Sequence, residues 1–160
     1  MLNILNDLKP FLEDVYREIS VREYSRECNI SPPTASKNLK YFKEEGLLIS
    51  FKKGIYIYFR ANKDSYIFKQ LARIYWYSVI YPVTEELHKE ISFRRIILFG
   101  SLAKAENTAE SDMDIFLDIS KRNISSNLKK KIKREIQFHF AAELENEDLK
   151  TSIQEGVIIR

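Results

Sequence analysis

The chain has 160 residues, of which 44% are hydrophobic and 31% charged, and its formal net charge is +3. This composition is typical of a folded globular protein and excludes a disordered chain, while the length fits one ordinary domain or two small ones. A single cysteine, Cys28, excludes an intramolecular disulfide framework. We expect it to be a packing residue in a reducing compartment.

The segment Met1–Asp7 contains an acidic residue and has no basic region before an apolar core, so we expect no signal peptide. The longest apolar stretch, Ile74–Val83, is interrupted by Ser78 and Pro82 and is far shorter than a membrane span. We therefore predict a cytoplasmic protein without a membrane partner.

Three helices are predicted in the first part of the chain. Apolar residues recur at helical spacing from Leu2 to Val15. Ser20 is a predicted N-cap for a second, short helix that runs to about Cys28. Ser31, followed by two prolines, begins a third helix that ends near Glu45, before a C-terminal glycine.

A β-hairpin is predicted after the third helix, because β-rich runs at residues 47–51 and 55–60 flank Lys52-Lys53-Gly54. Residues 31–60 contain six basic and two acidic side chains, so the basic excess of the chain is concentrated here. Ala35, Leu39 and Phe42 are predicted to point inward. The candidate nucleic-acid contacts on the other face and on the hairpin are Thr34, Ser36, Lys37, Lys40, Tyr41, Lys52 and Lys53.

The phrase SPPTASKNLKYFKEEGLL, residues 31–48, resembles the recognition helix of winged-helix regulators of the MarR and ArsR type. This resemblance implies a winged helix-turn-helix domain over residues 1–62. Its third helix would enter the major groove of DNA, and the Lys52-Lys53 tip would touch the flanking backbone. Winged helices also serve as protein-binding or dimerisation modules, so a homodimer stays an alternative.

Residues 63–90 are predicted to connect two domains through a helix from Ser65 to Tyr81 and a second helix from Pro82 to Glu90. Dense aromatic residues mark either an interface or an intramolecular core; they are Tyr66, Tyr75, Trp76, Tyr77 and Tyr81. We expect His88 to be a surface residue rather than a ligand.

A strand at residues 94–99 runs into Gly100-Ser101, and a second strand is predicted at residues 112–119. Gly100 would let the backbone approach a triphosphate, and Ser101 would begin a helix whose N–H groups can hold phosphate oxygens. Residues two apart on a strand share a face, so Asp112 and Asp114 present two carboxylates together, as Mg²⁺ requires when water and phosphate supply its other ligands.

The phrase LFGSLAKAENTAESDMDIFLDI, residues 98–119, resembles the signature of the DNA polymerase β-like nucleotidyltransferase superfamily in its minimal form: Gly-Ser, ten residues, Asp-x-Asp. The resemblance covers about residues 91–160 and implies a small mixed sheet with helices, so that the whole chain is of the α+β class. It also implies transfer of a nucleoside monophosphate, such as AMP, from ATP or another nucleoside triphosphate with Mg²⁺ or Mn²⁺. By resemblance, the nucleotide-binding residues are Gly100, Ser101, Lys104 and Ser111, and the catalytic metal ligands are Asp112 and Asp114.

The sequence departs from the family pattern at the loop and at the third carboxylate. Lys104 and Ala105 stand where the loop often has Arg-Gly. Larger members carry a third carboxylate on the next strand, which here is predicted at residues 136–140. Its polar face holds Glu135, Gln137 and His139, and either Glu135 or His139 could act as a base.

Two further charged features have structural interpretations. Asp118 would lie about 13 Å from Asp114 at the usual rise per strand residue, and we interpret it as a strand-end residue. The basic run at residues 129–134 is either a solvated helix face or a surface for an acceptor nucleic acid.

Three hypotheses follow from these patterns. The first is a nucleotidyltransferase, acting on a protein or nucleic-acid acceptor, with a DNA-binding winged helix. The second is a transcription regulator whose nucleotidyltransferase domain is catalytically degenerate and serves as a sensor or dimerisation unit. The third is an antitoxin that binds a toxin-type protein partner, since small members of the superfamily accompany toxin ribonucleases.

Overall fold

The computed structural model describes residues 3–124, 132 and 134–159, and it is a mixed α+β structure with two sheets. It separates into two compact units. The first extends to Leu71 and includes Glu106–Ala109; the second comprises Ala72–Ala105 and the chain from Glu110 onward. Within the described residues, no helix has the length and apolar character needed to cross a membrane.

The first unit alternates short helices with a three-stranded antiparallel sheet of order β1-β3-β2. Its elements are α1 (Asn3–Glu13), β1 (Ile19–Ser20), α2 (Val21–Glu27), α3 (Pro32–Glu44), β2 (Leu48–Lys53) and β3 (Tyr56–Ala61). The predicted helices and hairpin are present. The two-residue strand β1 was not predicted, because a run this short has no periodicity.

The hairpin turn begins later in the chain than predicted, at Gly54 instead of Lys52. Lys52 and Lys53 belong to β2, and the turn is formed by Gly54 and Ile55. Gly54 has a φ of 61°, which a glycine adopts without the steric cost that a side chain brings. The two lysines therefore lie on a strand rather than in a loop.

Polar caps fix the starts of α2 and α3. The Ser20 hydroxyl accepts from the Glu23 N–H, and the Glu23 carboxylate accepts from the Ser20 N–H, forming a capping box. Ser31 caps α3 by accepting from the Thr34 N–H. These contacts set the boundaries that the sequence predicted.

The core of the first unit contains the apolar faces that periodicity predicted. Ala35, Leu39 and Phe42 of α3 are buried, as are Leu5, Leu8, Phe11 and Leu12 on the apolar face of α1. Leu2 lies outside the described residues. Cys28 is half-buried and free, and burial raises the pKa of its thiol. It is therefore a partly buried packing residue.

A single helix, α4 (Tyr66–Glu90), replaces the two helices predicted for the connecting segment. Pro82 lies inside it, so the prediction of a break at this proline was wrong. A proline removes only one helical hydrogen bond, and the buried side chains Ile80, Val83 and Leu87 hold the helix on both sides of it.

The aromatic residues of α4 divide between core and surface. Tyr75 and Trp76 are buried, whereas Tyr66, Tyr77 and Tyr81 are exposed. His88 is half-buried and its ring stacks on Phe93, so the expectation of a surface residue was wrong. Part of the aromatic segment is thus core.

The second unit contains a four-stranded sheet of order β6-β5-β4-β7. After α4 its elements are β4 (Ile96–Phe99), α5 (Gly100–Lys104), β5 (Met113–Leu117), β6 (Ile136–Phe140), a 3₁₀ helix (Ala141–Glu145), α6 (Glu147–Gln154) and β7 (Val157–Ile158). β4 is antiparallel to both β5 and β7, and β5 is parallel to β6. Strands β4, β5 and β6 occur where they were predicted, although β4 and β5 are shorter, and β7 was not predicted.

Both faces of the sheet are largely covered, because successive residues of β4 and nearly all of β5 are buried. On one face Ile97, Phe99 and Phe116 pack with Ile153 of α6. The basic residues Lys129–Lys131 and Lys133 lie outside the described residues. The polar end of the sheet is where β4 passes into α5.

Candidate active site

Strand register brings the predicted site residues together at one end of the sheet. Phe99, the last residue of β4, is opposite Asp114 of β5, and Asp114 is opposite Gln137 of β6. Paired residues of adjacent strands point to the same face. Phe99, Asp114 and Gln137 therefore lie side by side, and Gly100 follows Phe99 directly.

Gly100 packs directly against the Asp114 carboxylate. Its φ is 71°, in the left-handed region, and a Cβ added to it would lie 2.4 Å from Asp114 Oδ2. A side chain at this position would be strained and would push the carboxylate away. The glycine thus allows the start of α5 to lie against the acidic residue.

Asp112, directly before β5, and Asp114, within β5, are two residues apart on an extended chain, and neighbours on β6 contact both. Gln137 Nε2 donates to Asp112 Oδ2 at 2.6 Å. Burial raises the pKa of Asp114; His139 opposes that shift, and the charge of Asp112 adds to it. The two carboxylates therefore form a site of concentrated negative charge.

His139 lies on the same face of β6, between two acidic side chains. Its Nε2 is 3.5 Å from Asp114 Oδ1, and its Nδ1 is 2.9 Å from Glu143 Oε2. The ring also meets the edge of Phe99, with centroids 5.0 Å apart. Glu135, the other candidate base, is exposed.

Glu143 belongs to the 3₁₀ helix that follows β6. Its Oε1 accepts from the Phe140 N–H at 3.0 Å, while its other oxygen faces His139. Burial raises the pKa of Glu143, but the His139 and Phe140 hydrogen bonds outweigh it, and the net pKa is lowered. Glu143 was missed by sequence analysis; the signal is a glutamate at the third position after the strand.

Asp118 has a structural role, as predicted. Its Oδ1 accepts from the backbone N–H groups of Arg94 and Arg95, each at 2.9 Å. These bonds hold the chain that leads into β4. They lie at the opposite end of β5 from Asp112.

Lys104 and Ser111 flank the site with partners of their own. Lys104 Nζ forms an ion pair with Glu155 Oε2 at 3.0 Å. The Ser111 carbonyl accepts from Arg134, whose guanidinium lies 4.9 Å from the Trp76 ring centroid. Arg134 is therefore not part of a solvated face.

Ala105 ends α5 with a φ of 56°, in the left-handed region that favours glycine. Arg73 Nε donates to the nearby carbonyl of Ala103, and Arg73 Nη2 donates to the carbonyl of Glu155. Arg73 and Glu155 were not predicted. No sequence motif marks these two positions. Arg73 contacts backbone carbonyls that are far from it in the sequence, and Glu155 pairs with the charge of Lys104.

The residues predicted to contact nucleic acid lie in the first unit. Thr34, Lys37, Lys40 and Tyr41 of α3 are exposed, and Ser36 is half-buried. On the hairpin, Lys52 is exposed. Lys53 forms an ion pair with Glu18 and lies 5.7 Å from the Phe51 ring centroid, so its charge is partly compensated within the unit.

No group of three or more His, Cys, Asp or Glu side chains is arranged to hold a metal ion within the described part of the chain. The residues that could hold a cation are the carboxylates of Asp112 and Asp114, with His139 beside them. A cation bound there would need further ligands from water or from phosphate.

Comparison with known proteins identifies the second part of the chain only. No curated protein and no solved structure matches the chain. Residues 83–159 match the model of the family described as Polymerase beta, Nucleotidyltransferase. This segment includes β4, α5, β5 and β6, with Gly100, Asp112 and Asp114. This match supports a nucleotidyltransferase-type fold for residues 83–159.

Proposed function

We propose that the second unit binds a nucleoside triphosphate with a divalent cation and transfers its nucleoside monophosphate to an acceptor hydroxyl, with pyrophosphate as the leaving group. The observation that carries this proposal is the contact of Gly100 with Asp114. It brings the Gly100-Ser101 backbone, which would receive phosphate oxygens, directly beside the carboxylate that would hold the cation.

The donor set fits a divalent cation. Two carboxylates on one strand face supply the hard oxygen ligands that Mg²⁺ and Mn²⁺ take. The pKa of Asp114 is raised by burial and by the neighbouring charge of Asp112, so a bound cation would relieve an unfavourable concentration of negative charge. The bound cation would polarise the phosphate oxygens and stabilise the charge that develops during displacement.

Each side chain has a distinct part in this proposal. Asp112 and Asp114 hold the cation, and Gln137 fixes the Asp112 carboxylate by its hydrogen bond. Gly100 and Ser101 hold the triphosphate through backbone and hydroxyl groups. Lys104 and Ser111 lie at the margin, where Lys104 must leave Glu155 to contact a phosphate oxygen.

We further propose that the first unit is a winged helix-turn-helix that binds DNA. The order of its elements and the exposed Lys37 and Lys40 of α3 support this proposal. Such lysines supply affinity through phosphate contacts. The unit would direct the nucleotidyltransferase to a nucleic-acid site or regulate its own synthesis.

A second candidate is a regulator or antitoxin whose nucleotidyltransferase domain has no catalytic activity. One observation favours it: the β6 side chain nearest the Asp114 carboxylate is an imidazole, that of His139, where larger members of the superfamily carry a carboxylate. Such a protein would use the domain to sense a nucleotide, to form a homodimer or to bind a toxin-type partner.

The two candidates are separated by transfer of label from each α-labelled nucleoside triphosphate, with Mg²⁺ or Mn²⁺, to protein and RNA acceptors. The control is the Asp112→Asn, Asp114→Asn double variant, and Asp118→Asn is a matched variant on the same strand. Transfer by wild type and Asp118→Asn, lost in the double variant, supports the enzyme. No transfer to any acceptor, together with DNA binding, supports the regulator.

A further inference from the structure

The imidazole of His139 is held in one orientation by contacts on its Nδ1 side. Nδ1 lies 2.9 Å from Glu143 Oε2, and Glu143 is itself fixed because its other oxygen accepts from the Phe140 N–H. The edge contact with Phe99 limits rotation of the ring. With Nδ1 held by a carboxylate, Nε2 is the ring nitrogen that faces Asp114.

The Nε2 side of the ring has no such partner. The Nε2 atom is buried, and it neither donates nor accepts a hydrogen bond within the described residues. Its nearest charged neighbour is Asp114 Oδ1 at 3.5 Å, which is too long for a hydrogen bond. The buried Nε2 atom and the Asp114 oxygen therefore face each other without a hydrogen bond, and a cation bound to both would satisfy them.

The separation of these two atoms fits ligands of one metal ion. Ligands at about 2.0–2.2 Å from a metal lie about 3.0–3.5 Å from each other when their bonds make angles of about 90–110°. A carboxylate on the other ring nitrogen is also the usual arrangement for a histidine that binds a metal. Glu143 therefore lies where a carboxylate usually holds the second ring nitrogen of a metal-binding histidine. His139 Nε2 lies where the nitrogen that binds the metal would be.

We propose that His139 Nε2 is a protein ligand of the divalent cation together with Asp114, and that Glu143 is the positioning residue for this histidine. The proposal rests on the proposed function, because it concerns the same cation. An imidazole ligand favours Mn²⁺, Co²⁺ or Zn²⁺ over Mg²⁺, which prefers oxygen ligands. We therefore expect this site to bind Mn²⁺ more tightly than Mg²⁺.

Electron spin echo measurements on Mn²⁺ bound to the full chain test this assignment. Inorganic tripolyphosphate, which contains no nitrogen, is added so that the phosphate ligands are present without a nucleobase. We expect modulation from a directly coordinated ¹⁴N nucleus. The chain has two histidines, so His88→Gln is the matched control and should retain the modulation, while His139→Gln should lose it.

Binding affinities supply a second readout. We expect the Mn²⁺ dissociation constant to rise about 10- to 100-fold in Glu143→Gln, since outer carboxylates of metal-binding histidines have effects of this size. Mg²⁺ binding should change less in the same variant. Equal losses for both ions would contradict a nitrogen ligand.

The outcomes distinguish this inference from the proposed function. Mn²⁺ that binds the wild type, is lost in Asp114→Asn and shows no ¹⁴N modulation would overturn the histidine ligand and leave the carboxylate site intact. Failure of Mn²⁺ with tripolyphosphate to bind the wild type would overturn both. Absence of ¹⁴N modulation in the wild-type spectrum overturns the histidine ligand without any variant, so a variant that folds poorly does not obscure that outcome.

Discussion

At the scale of single residues, Gly100 connects backbone conformation with the proposed chemistry. Its positive φ favours glycine, and its contact with Asp114 leaves no room for a side chain. Gly54 has a similar φ of 61°, but a Cβ there would meet nothing within 4 Å. A substitution at Gly54 therefore tests backbone strain alone, whereas a substitution at Gly100 tests strain together with displacement of the carboxylate.

We predict that Gly100→Ala abolishes binding of Mn²⁺ with a nucleoside triphosphate, because the added methyl group displaces the Asp114 carboxylate. Gly54→Ala should lower stability by about 1–2 kcal/mol through backbone strain alone and should bind normally. Titration calorimetry and thermal unfolding of both variants check this. Normal binding by a folded Gly100→Ala protein would contradict the proposed role of the contact.

Asp118 shows that a carboxylate on the same strand has a different role. We predict that Asp118→Ala lowers the free energy of unfolding by about 1–2 kcal/mol, since two backbone N–H groups lose their acceptor. Asp118→Asn keeps an acceptor oxygen and should lose less. Denaturant unfolding measures both values, and equal stability of wild type and Asp118→Ala would refute this assignment.

At the scale of elements, the capping box of α2 predicts a pH dependence of stability. The hydrogen bond from Ser20 lowers the pKa of Glu23 below its ordinary value of 4.5. A group whose pKa is lowered by folding stabilises the protein above its unfolded pKa, and this stabilisation is lost as the pH falls through the folded value.

We therefore expect Glu23→Gln to be less stable than wild type at pH 7, with the difference disappearing as the pH falls below about 4.5. Ser20→Ala should cost about 1 kcal/mol at pH 7 through loss of the cap. Chemical denaturation across this pH range provides the measurement. A wild-type advantage that persists unchanged at acidic pH would show that the Glu23 charge contributes nothing.

Elements with strong local signals were predicted from the sequence, and those determined by distant contacts were not. Serine caps and apolar spacing located α2 and α3, and the Gly-Ser and Asp-x-Asp motifs predicted residues that strand register brings together. The proline rule failed in α4, because burial of its neighbours outweighs one missing hydrogen bond. Glu143 carries only the local signal of a glutamate three residues after β6, and its contact with His139 depends on how the chain folds after that strand.

At the scale of the whole molecule, the chain contains two units with different expected ligands. Residues 83–159 match the nucleotidyltransferase family model, and the basic excess lies between Ser31 and Arg60 in the other unit. The domain limits predicted from the sequence, 1–62, 63–90 and 91–160, stay a prediction. Because the proposed nucleic-acid and nucleotide sites use different side chains, variants should affect them separately.

We predict that Lys37→Ala and Lys40→Ala each weaken DNA binding and lower the slope of log affinity against log salt by about one unit. Lys9→Ala, in an exposed i,i+4 ion pair with Glu13 on α1, is the control. Fluorescence anisotropy over a range of salt concentrations measures the slope. Identical slopes for all three variants and the wild type would contradict a DNA-binding role for α3.

The central claim is that Asp112 and Asp114 hold a cation that binds a nucleoside triphosphate beside Gly100. Titration calorimetry of ATP and Mn²⁺ with wild type, Asp114→Asn and Asp118→Asn tests it most directly. We predict one metal-dependent nucleotide site in wild type and in Asp118→Asn, and its loss in folded Asp114→Asn. Metal-dependent binding that survives in Asp114→Asn, or no binding of any of the four nucleoside triphosphates to wild type, would contradict the claim.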